Sequence, residues 1–113
     1  MSYKIIPTQK FKKQAKRLIK KFPSLQNELA ELGVELSLQP EAGTPLGNNT
    51  YKIRLSVKSK GKGKSGGMRV ITFLVTKDEE VYLLTIYDKS EMENIDDRDL
   101  KLQVEEIIKS KNI

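Results

Sequence analysis

The sequence predicts an α+β fold with the element order β-α-α-β-β-β-α, in which two N-terminal helices pack on one face of an antiparallel sheet. Three observations lead to this prediction. The first third of the chain has two apolar stripes at helical spacing, the middle has three short strand-like runs, and the end has another helical stripe. No repeat or long linker divides the 113 residues, so we expect one domain over residues 1–113.

The N-terminal segment predicts a strand followed by a helix. Residues 3–6 form a short apolar run that ends at Pro7, because proline cannot donate to a strand ladder. Thr8 can cap a helix over residues 9–21, whose apolar stripe contains Phe11, Ala15 and Leu18. The other face of this helix carries the cations Lys10, Lys12, Lys13, Lys16, Arg17, Lys20 and Lys21. We interpret that face either as a solvated helix surface or as part of a field that attracts phosphates.

A second helix and a loop come next. Pro23 and Ser24 end the first helix, and leucines at positions 25, 29, 32 and 36 follow the helical period to about residue 39. Two consecutive helices with apolar stripes indicate a helical hairpin laid on the sheet. Residues 41–50 are rich in Gly, Pro and Asn and predict a loop.

Three strands are predicted between residues 51 and 87. Residues 51–58 alternate apolar and polar, which is typical of a strand with one buried face. The expected buried set is Tyr51, Ile53, Leu55 and Val57, and the expected exposed set is Lys52, Arg54, Ser56 and Lys58. Residues 68–76 are apolar on both faces and predict a central strand, and residues 81–87 predict the third strand of a meander.

The cations between residues 52 and 69 mark the predicted functional surface. Seven cations and no anion occur in this stretch, namely Lys52, Arg54, Lys58, Lys60, Lys62, Lys64 and Arg69. Lys58, Lys60, Lys62 and Lys64 belong to a glycine-rich loop, which is either a flexible solubilising segment or a mobile arm that binds RNA phosphates. The loop lacks the Walker A spacing, so nucleotide hydrolysis is not expected.

The charge reverses after the third strand. Five acidic residues, Glu91, Glu93, Asp96, Asp97 and Asp99, precede or begin a last helix. Asp96 is the predicted N-cap, and acidic residues in the first turn suit the helix dipole. Leu100, Val104, Ile107 and Ile108 form the apolar stripe of this helix.

The composition excludes several functional classes. The net charge of +6 points to a polyanionic partner, which could be nucleic acid, an anionic membrane or an acidic protein. The chain has no cysteine and no histidine, which excludes a disulfide framework, a Ser-His-Asp hydrolase and a His-ligated zinc site. No stretch approaches the ~20 apolar residues of a spanning helix, so we expect a cytoplasmic protein.

Three phrases carry a resemblance to a known family. They are Tyr51-Lys52-Ile53-Arg54-Leu55, then Gly67-Met68-Arg69-Val70-Ile71, then residues 84–91 with the letters LTIYDKSE. In this order they resemble the RelE/ParE superfamily of bacterial toxins from type II toxin–antitoxin modules. The string that contains the basic loop resembles a RelE-like subgroup in which such a loop joins two strands.

The resemblance implies a ribosome-dependent mRNA endoribonuclease that works without a metal or other cofactor. In the RelE branch the 2′-hydroxyl of the RNA attacks the adjacent phosphate and leaves a 2′,3′-cyclic phosphate. The catalytic cations of that pattern match Lys52, Arg54, Arg69 and Lys89. The family's C-terminal tyrosine falls at Ile95, and the nearest substitutes are Tyr87, Tyr51 and Glu91. The implied partners are the ribosome with its mRNA and a neutralising antitoxin.

The residues themselves support part of this interpretation. Lys52 and Arg54 are two apart on one strand and share a sheet face, and Arg69 lies on the strand predicted to pair with theirs. A lysine among cations can serve as a base, while arginines hold phosphate oxygens by forked hydrogen bonds. Such cations can equally be a solvated face, and Tyr87 can be either a packing aromatic or a stacking group.

Two other functions stay open from the sequence. A ParE-like toxin would inhibit DNA gyrase without catalysis of its own, and the lack of the C-terminal tyrosine is compatible with that reading. A non-catalytic RNA-binding module would use the cationic sheet face only for electrostatic attraction. The clustered cations Lys52, Arg54, Arg69 and Lys89 favour the endoribonuclease, because a gyrase inhibitor needs no phosphate ligands.

Overall fold

Three helices and five strands make up the computed structural model, which describes residues 2–61, 66–92 and 95–112. The elements are β1 (Lys4–Pro7), α1 (Gln9–Lys21), α2 (Leu25–Leu38), β2 (Thr44–Gly47), β3 (Thr50–Leu55), β4 (Met68–Val75), β5 (Glu80–Asp88) and α3 (Asp97–Lys111). The predicted α+β class is confirmed. In the part of the chain that the structure describes, no helix is long and apolar enough to cross a membrane.

The sheet has the strand order β1-β5-β4-β3-β2. The three strands predicted as a meander, β3, β4 and β5, pair antiparallel, and β4 is central with every residue buried. The N-terminal strand β1 lies at one edge and runs parallel to β5, so the sheet is mixed and the prediction of an antiparallel sheet was wrong for this pair. Its edge position allows Pro7 to stand in the strand, opposite Leu83.

One face of the sheet is covered by α1 and α2, as predicted from their apolar stripes. Leu18, Leu25 and Leu36 are fully buried and belong to one core cluster with residues of β3, β4 and β5. Thr8 caps α1, because its Oγ1 accepts a hydrogen bond from Phe11 N at 3.2 Å. We call this side of the sheet the helix-hairpin face.

The opposite side of the sheet, which we call the α3 face, carries a second core cluster. Leu100 and Val104 of α3 join Ile71, Phe73 and Leu84 in it. Asp96 is the N-cap of α3, as predicted, and its Oδ1 accepts from Arg98 N at 2.9 Å. The sheet is therefore the middle layer between a helical hairpin and a single helix.

The prediction of a loop over residues 41–50 was wrong, because Thr44–Gly47 form the edge strand β2. All four residues of β2 are exposed, so the sequence shows no alternation that would have revealed the strand. Asn48 and Asn49 have φ of 54° and 62°, as in a two-residue hairpin turn. Gly43 must be glycine, since its φ is +103° and an added Cβ would lie 2.6 Å from the carbonyl oxygen of Lys52.

An irregularity interrupts the pairing of β5 with β4. Ile71 stands opposite Thr85, but the next residue, Thr72, stands opposite Leu83, so β5 contains one extra residue, as in a β-bulge. Gln14 of α1 compensates for the broken ladder, because its Oε1 accepts from Ile86 N at 3.0 Å and from Thr85 Oγ1 at 2.8 Å. From the other face, Gln103 Nε2 donates to Leu84 O at 3.2 Å.

Candidate functional site

The candidate site is a row of three side chains across the sheet. In the pairing register Arg54 of β3 stands opposite Arg69 of β4, and Arg69 stands opposite Tyr87 of β5. Directly opposed residues in a sheet point to the same side. Arg69 lies two residues before Ile71 and four before Phe73 on β4, so it shares the α3 face with these two members of the α3-face cluster. We call Arg54, Arg69 and Tyr87 the cation row.

The cation row places two guanidinium groups on directly opposed positions of neighbouring strands, an arrangement of like charges that is unfavourable by itself. Arg69 stands on the central strand, with only 5% of its surface exposed. Its Nη1 donates a hydrogen bond to Met68 O at 3.2 Å, so the buried guanidinium is held within the sheet.

Lys52 adjoins the row on the same strand as Arg54. Two residues separate these side chains along β3, so they share the α3 face, and Lys52 stands opposite Thr44 on β2 and Ile71 on β4. Lys52 is half-buried and Arg54 is exposed. Solvent access therefore increases from Tyr87 and Arg69 toward Arg54.

Tyr87 is buried, with 5% of its surface exposed. Burial raises the pKa of its phenol above the ordinary value, and the positive charge of Arg69 opposes part of that rise. The phenol is therefore protonated near neutral pH. It can donate a hydrogen bond or a proton toward the cation row, but it is not a base there.

The other substitutes for a C-terminal tyrosine lie elsewhere. Tyr51 is half-buried against the helix-hairpin cluster, away from the cation row. Glu91 accepts from Arg17 of α1 at 2.9 Å, and this hydrogen bond with the guanidinium lowers the pKa of Glu91. Ile95 packs against the α3-face cluster. Of the three substitutes, only Tyr87 joins the cations.

The remaining candidate lysines are placed differently from one another. Lys89 follows β5 directly, is half-buried, and donates its backbone N–H to Gly67 O at 3.1 Å. Lys58 is exposed at the start of a short 3-10 turn, Lys58–Lys60. Lys62 and Lys64 lie outside the described residues. Lys89 therefore lies close to the β5 end of the cation row, and Lys58 lies on the surface.

Lys60 differs from the expectation of a solvated loop lysine. Its side chain is 5% exposed and forms an ion pair with Asp88, whose side chain is 3% exposed. The turn folds back over the end of β5 instead of extending into solvent, and this places the ammonium group inside the protein. Asp88 has no predicted role in the sequence, although an acidic residue that directly ends an apolar strand is a usable signal.

Two further features frame the site. A cavity of about 770 Å³ lies between the β2–β3 turn and α3, and its lining includes Phe73, Val75 and Leu100 but none of the candidate cations. Within residues 2–61, 66–92 and 95–112, no group of three or more acidic side chains could hold a metal ion. The chemistry available at the row is therefore that of guanidinium, ammonium and phenol groups.

Those groups suit a phosphodiester. Arginine presents a planar fork of donors that matches phosphate oxygens, and two such forks can hold one phosphate from two sides. A protonated phenol beside them can donate to a leaving oxygen, and a lysine at the rim can exchange a proton. The arrangement can thus bind a phosphate and stabilise additional negative charge on it.

The family comparison identifies the chain as a toxin of a toxin–antitoxin system. It belongs to the RelE family: the family model described as "RelE toxin of RelE / RelB toxin-antitoxin system" matches residues 3–110. This match confirms the family that the three sequence phrases indicated.

Solved structures agree on the fold. A double mutant of the Escherichia coli toxin RelE in the free state has a TM-score of 0.60 and 19% identity, and the alignment covers 82% of this chain and 90% of that chain. The RelBE2 toxin–antitoxin complex from Mycobacterium tuberculosis gives a TM-score of 0.58 at 17% identity, with 78% of this chain and 99% of that chain covered. At such identities the likeness concerns the fold alone.

Proposed function

We propose that the chain is a ribosome-dependent mRNA endoribonuclease that requires no metal. In the proposed reaction the 2′-hydroxyl oxygen attacks the adjacent phosphorus, and the bond to the 5′-oxygen of the next nucleotide breaks. The products are a 2′,3′-cyclic phosphate and a 5′-hydroxyl. The observation that supports this proposal is the cation row, in which Arg54 and Arg69 stand directly opposite each other and share a sheet face with Tyr87.

Each member of the site has a role in this proposal. Arg54 and Arg69 hold the non-bridging oxygens and neutralise the charge that develops on the pentavalent phosphorus. Lys52, on the half-exposed rim, is the candidate base for the 2′-hydroxyl. Tyr87 stays protonated because its pKa is raised by burial, so it suits the acid that protonates the leaving oxygen.

The remaining lysines contribute electrostatic attraction for RNA and take no part in the bond-breaking step. Lys89 lies two residues beyond Tyr87 and would contact a phosphate next to the scissile one. Lys58 is exposed and, with the predicted roles of Lys62 and Lys64, adds non-specific attraction for RNA. The cationic face of α1 would contribute to the same field.

We also propose that an acidic antitoxin neutralises the protein. The Mycobacterium tuberculosis neighbour is a toxin–antitoxin complex. On this chain, α1 presents a shallow apolar groove that includes Phe11, Ala15 and Ile19 and is flanked by Lys12, Lys16 and Lys20. Lysines four apart on one helix repel each other, and an acidic amphipathic segment in this groove would remove that repulsion.

Primer extension on mRNA from a translating extract tests the proposal. The parent protein should create new 5′ ends at A-site codons, and Arg69→Ala should abolish them while the variant remains folded. The same RNA without ribosomes should be cleaved far less. If no new ends form but DNA breaks appear that depend on gyrase, the ParE-like function replaces this proposal. If neither occurs and RNA is still bound, the chain is a non-catalytic RNA-binding module.

A further inference from the structure

The side of the sheet opposite the cation row contains a buried ion pair. Lys60 and Asp88 have side chains that are 5% and 3% exposed, whereas the other ion pairs between described residues are at least 16% exposed on both partners. Asp88 stands opposite Met68, a residue of the helix-hairpin cluster, so its carboxylate lies on that face. The neighbouring residues Tyr87 and Arg69 point to the α3 face.

The ion pair is part of a network that joins three segments. Lys60 Nζ also donates to Ser90 Oγ at 2.9 Å, and its ammonium lies 5.4 Å from the centre of the Phe22 ring. Ser90 N donates to Asp88 Oδ1 at 2.9 Å. Burial alone would raise the pKa of Asp88, but hydrogen bonds from Lys60 and Ser90 outweigh it, so the net shift is downward. The end of β5 is thus bonded to the turn that follows β3.

The turn itself is fastened to the start of α2. Ser59 and Ser24 exchange two hydrogen bonds: Ser24 N donates to Ser59 Oγ at 2.7 Å, and Ser59 N donates to Ser24 Oγ at 2.9 Å. Lys58 N donates to Glu28 Oε2 at 2.8 Å. These hydrogen bonds hold the turn against α2. The ion pair of Lys60 with Asp88 then links the turn to the end of β5.

A buried ion pair is a poor source of stability. Removing two charges from water costs several kcal/mol per ion, and apolar replacements of similar size are often as stable or more stable. Geometric specificity is the better reason for such a pair. Here the geometry that it fixes is the end of β5, where Tyr87 and Lys89 flank Asp88 in the sequence.

We propose that the Lys60–Asp88 pair is a positioning device for the site: it holds the end of β5 so that Tyr87 and Lys89 stand in register with Arg69. Lys60 and Asp88 lie behind the sheet and contact no substrate, and Lys60 binds no RNA phosphate. This inference rests on the proposed function for its catalytic readout. Its structural readout, which is the order of the β5 end, is independent of that function.

Salt dependence separates a positioning lysine from a phosphate-binding lysine. We expect Lys60→Met to lower the single-turnover cleavage rate on programmed ribosomes by roughly 10- to 100-fold, as small displacements of reacting groups do. The dependence of ribosome binding on salt should be unchanged, because no phosphate contact is lost. A phosphate ligand would behave in the opposite way: the slope of log K against log salt would fall by about 1 and the saturated rate would stay the same.

A paired apolar variant separates positioning from stability. Asp88→Asn leaves a buried ammonium without its anion, and Lys60→Met/Asp88→Leu removes both charges. We expect the double variant to fold at least as stably as Asp88→Asn and still to cleave slowly. Asp78→Asn is the matched control. Asp78 lies on the β4–β5 turn and forms an ion pair with Lys111 of α3 at 2.7 Å. The control variant should cleave like the parent.

Amide hydrogen exchange of Lys89 provides the readout that needs no catalysis. Lys89 N donates to Gly67 O at 3.1 Å, so a loosened β5 end should speed its exchange in Lys60→Met and in the double variant but not in Asp78→Asn. Parental cleavage by the folded double variant, or parental exchange at Lys89, overturns the inference. If the parent protein itself does not cleave RNA, the proposed function fails and the exchange measurement alone decides the inference.

Discussion

The two faces of the sheet use the same three strands for different purposes. On the helix-hairpin face, Ile53, Val70 and Ile86 stand in one row and are buried under α1 and α2. The adjacent residue on each strand points to the α3 face. These residues form the neighbouring row of Arg54, Arg69 and Tyr87. An apolar row and a cationic row are thus separated by the thickness of one sheet.

This contrast shows how a small domain can tolerate an electrostatically unfavourable site. The apolar row gives β3, β4 and β5 their pairing register, because a shift by one residue would bury the arginines under the helical hairpin. Packing on one face therefore keeps Arg54 and Arg69 on opposed positions of the other face.

The largest effect is expected at Arg69. Replacing it with alanine removes a guanidinium that acts mainly in the transition state, so single-turnover cleavage should slow by ~10²-fold or more. Arg69→Lys should also be slow, since an ammonium cannot reproduce the fork. Urea denaturation should show that Arg69→Ala still folds, with a moderate loss of stability because the buried side chain and its hydrogen bond to Met68 O are removed. Arg98→Ala, at an exposed arginine of α3, is the control, and equal rates for both alanine variants would place the site elsewhere.

For a core leucine of the helix-hairpin face, the expected effect is on stability alone. Leu36 is fully buried, and Leu36→Ala should lower the free energy of unfolding by about 2–5 kcal/mol. Urea denaturation measures this loss, and the folded fraction should cleave at the parental rate. Leu38→Ala is the matched control, because 70% of Leu38 is exposed, and it should change stability by less than about 0.5 kcal/mol. A large catalytic loss in folded Leu36→Ala would show that the faces are not separable.

Acid should weaken the ion pair behind the site. The pKa of Asp88 is lowered in the folded protein, so its stabilisation is present above the unfolded value of about 3.9 and is lost as pH falls through the folded pKa. At neutral pH Asp88→Asn should be less stable than the parent by about 3 kcal/mol. This difference should shrink below about pH 4 in urea denaturation. A constant difference down to about pH 2 would contradict it.

The smallest effect is expected at the bulge. Gln14→Leu leaves Ile86 N without its acceptor and should lower the free energy of unfolding by about 1–3 kcal/mol. Amide exchange at Ile86 should become faster, which distinguishes this local cause from a general loss of packing. Gln26→Leu, at an exposed position on α2, is the control. Unchanged exchange at Ile86 would show that the bulge is held by other contacts.

The sequence predicted the features that depend on repeated patterns. The leucine stripes and the caps Thr8 and Asp96 correspond to the observed elements. The alternation from Tyr51 to Lys58 predicted β3 only in part, because the strand ends at Leu55 and Lys58 begins a 3-10 turn. The strand β2 was missed because its four residues are exposed and bury no patterned face. The pairing of Lys60 with Asp88 was missed because their separation of 28 residues is closed only by the tertiary fold.

The cation row was predictable only in part. Period two placed Lys52 and Arg54 on one face, and the expected antiparallel pairing brought Arg69 near them. Which residue stands opposite which depends on the register, which periodicity within a single strand does not define. The burial of Arg69 and Tyr87 also follows from the central position of β4 and from the packing of α3, and both are tertiary properties.

The extra residue in β5 sets the phase of everything that follows it. Up to Leu84, odd-numbered residues of β5 face the helical hairpin and even-numbered residues face α3, and beyond Thr85 this parity is reversed. If the same sequence formed β5 without the bulge, Ile86 would stand opposite Arg69 and Tyr87 would face the helical hairpin. Deletion of Thr85 would remove the extra residue together with the bulge, and Tyr87 would still stand opposite Arg69. Which side chain of β5 lies beside the guanidinium groups therefore depends on one extra residue in the strand.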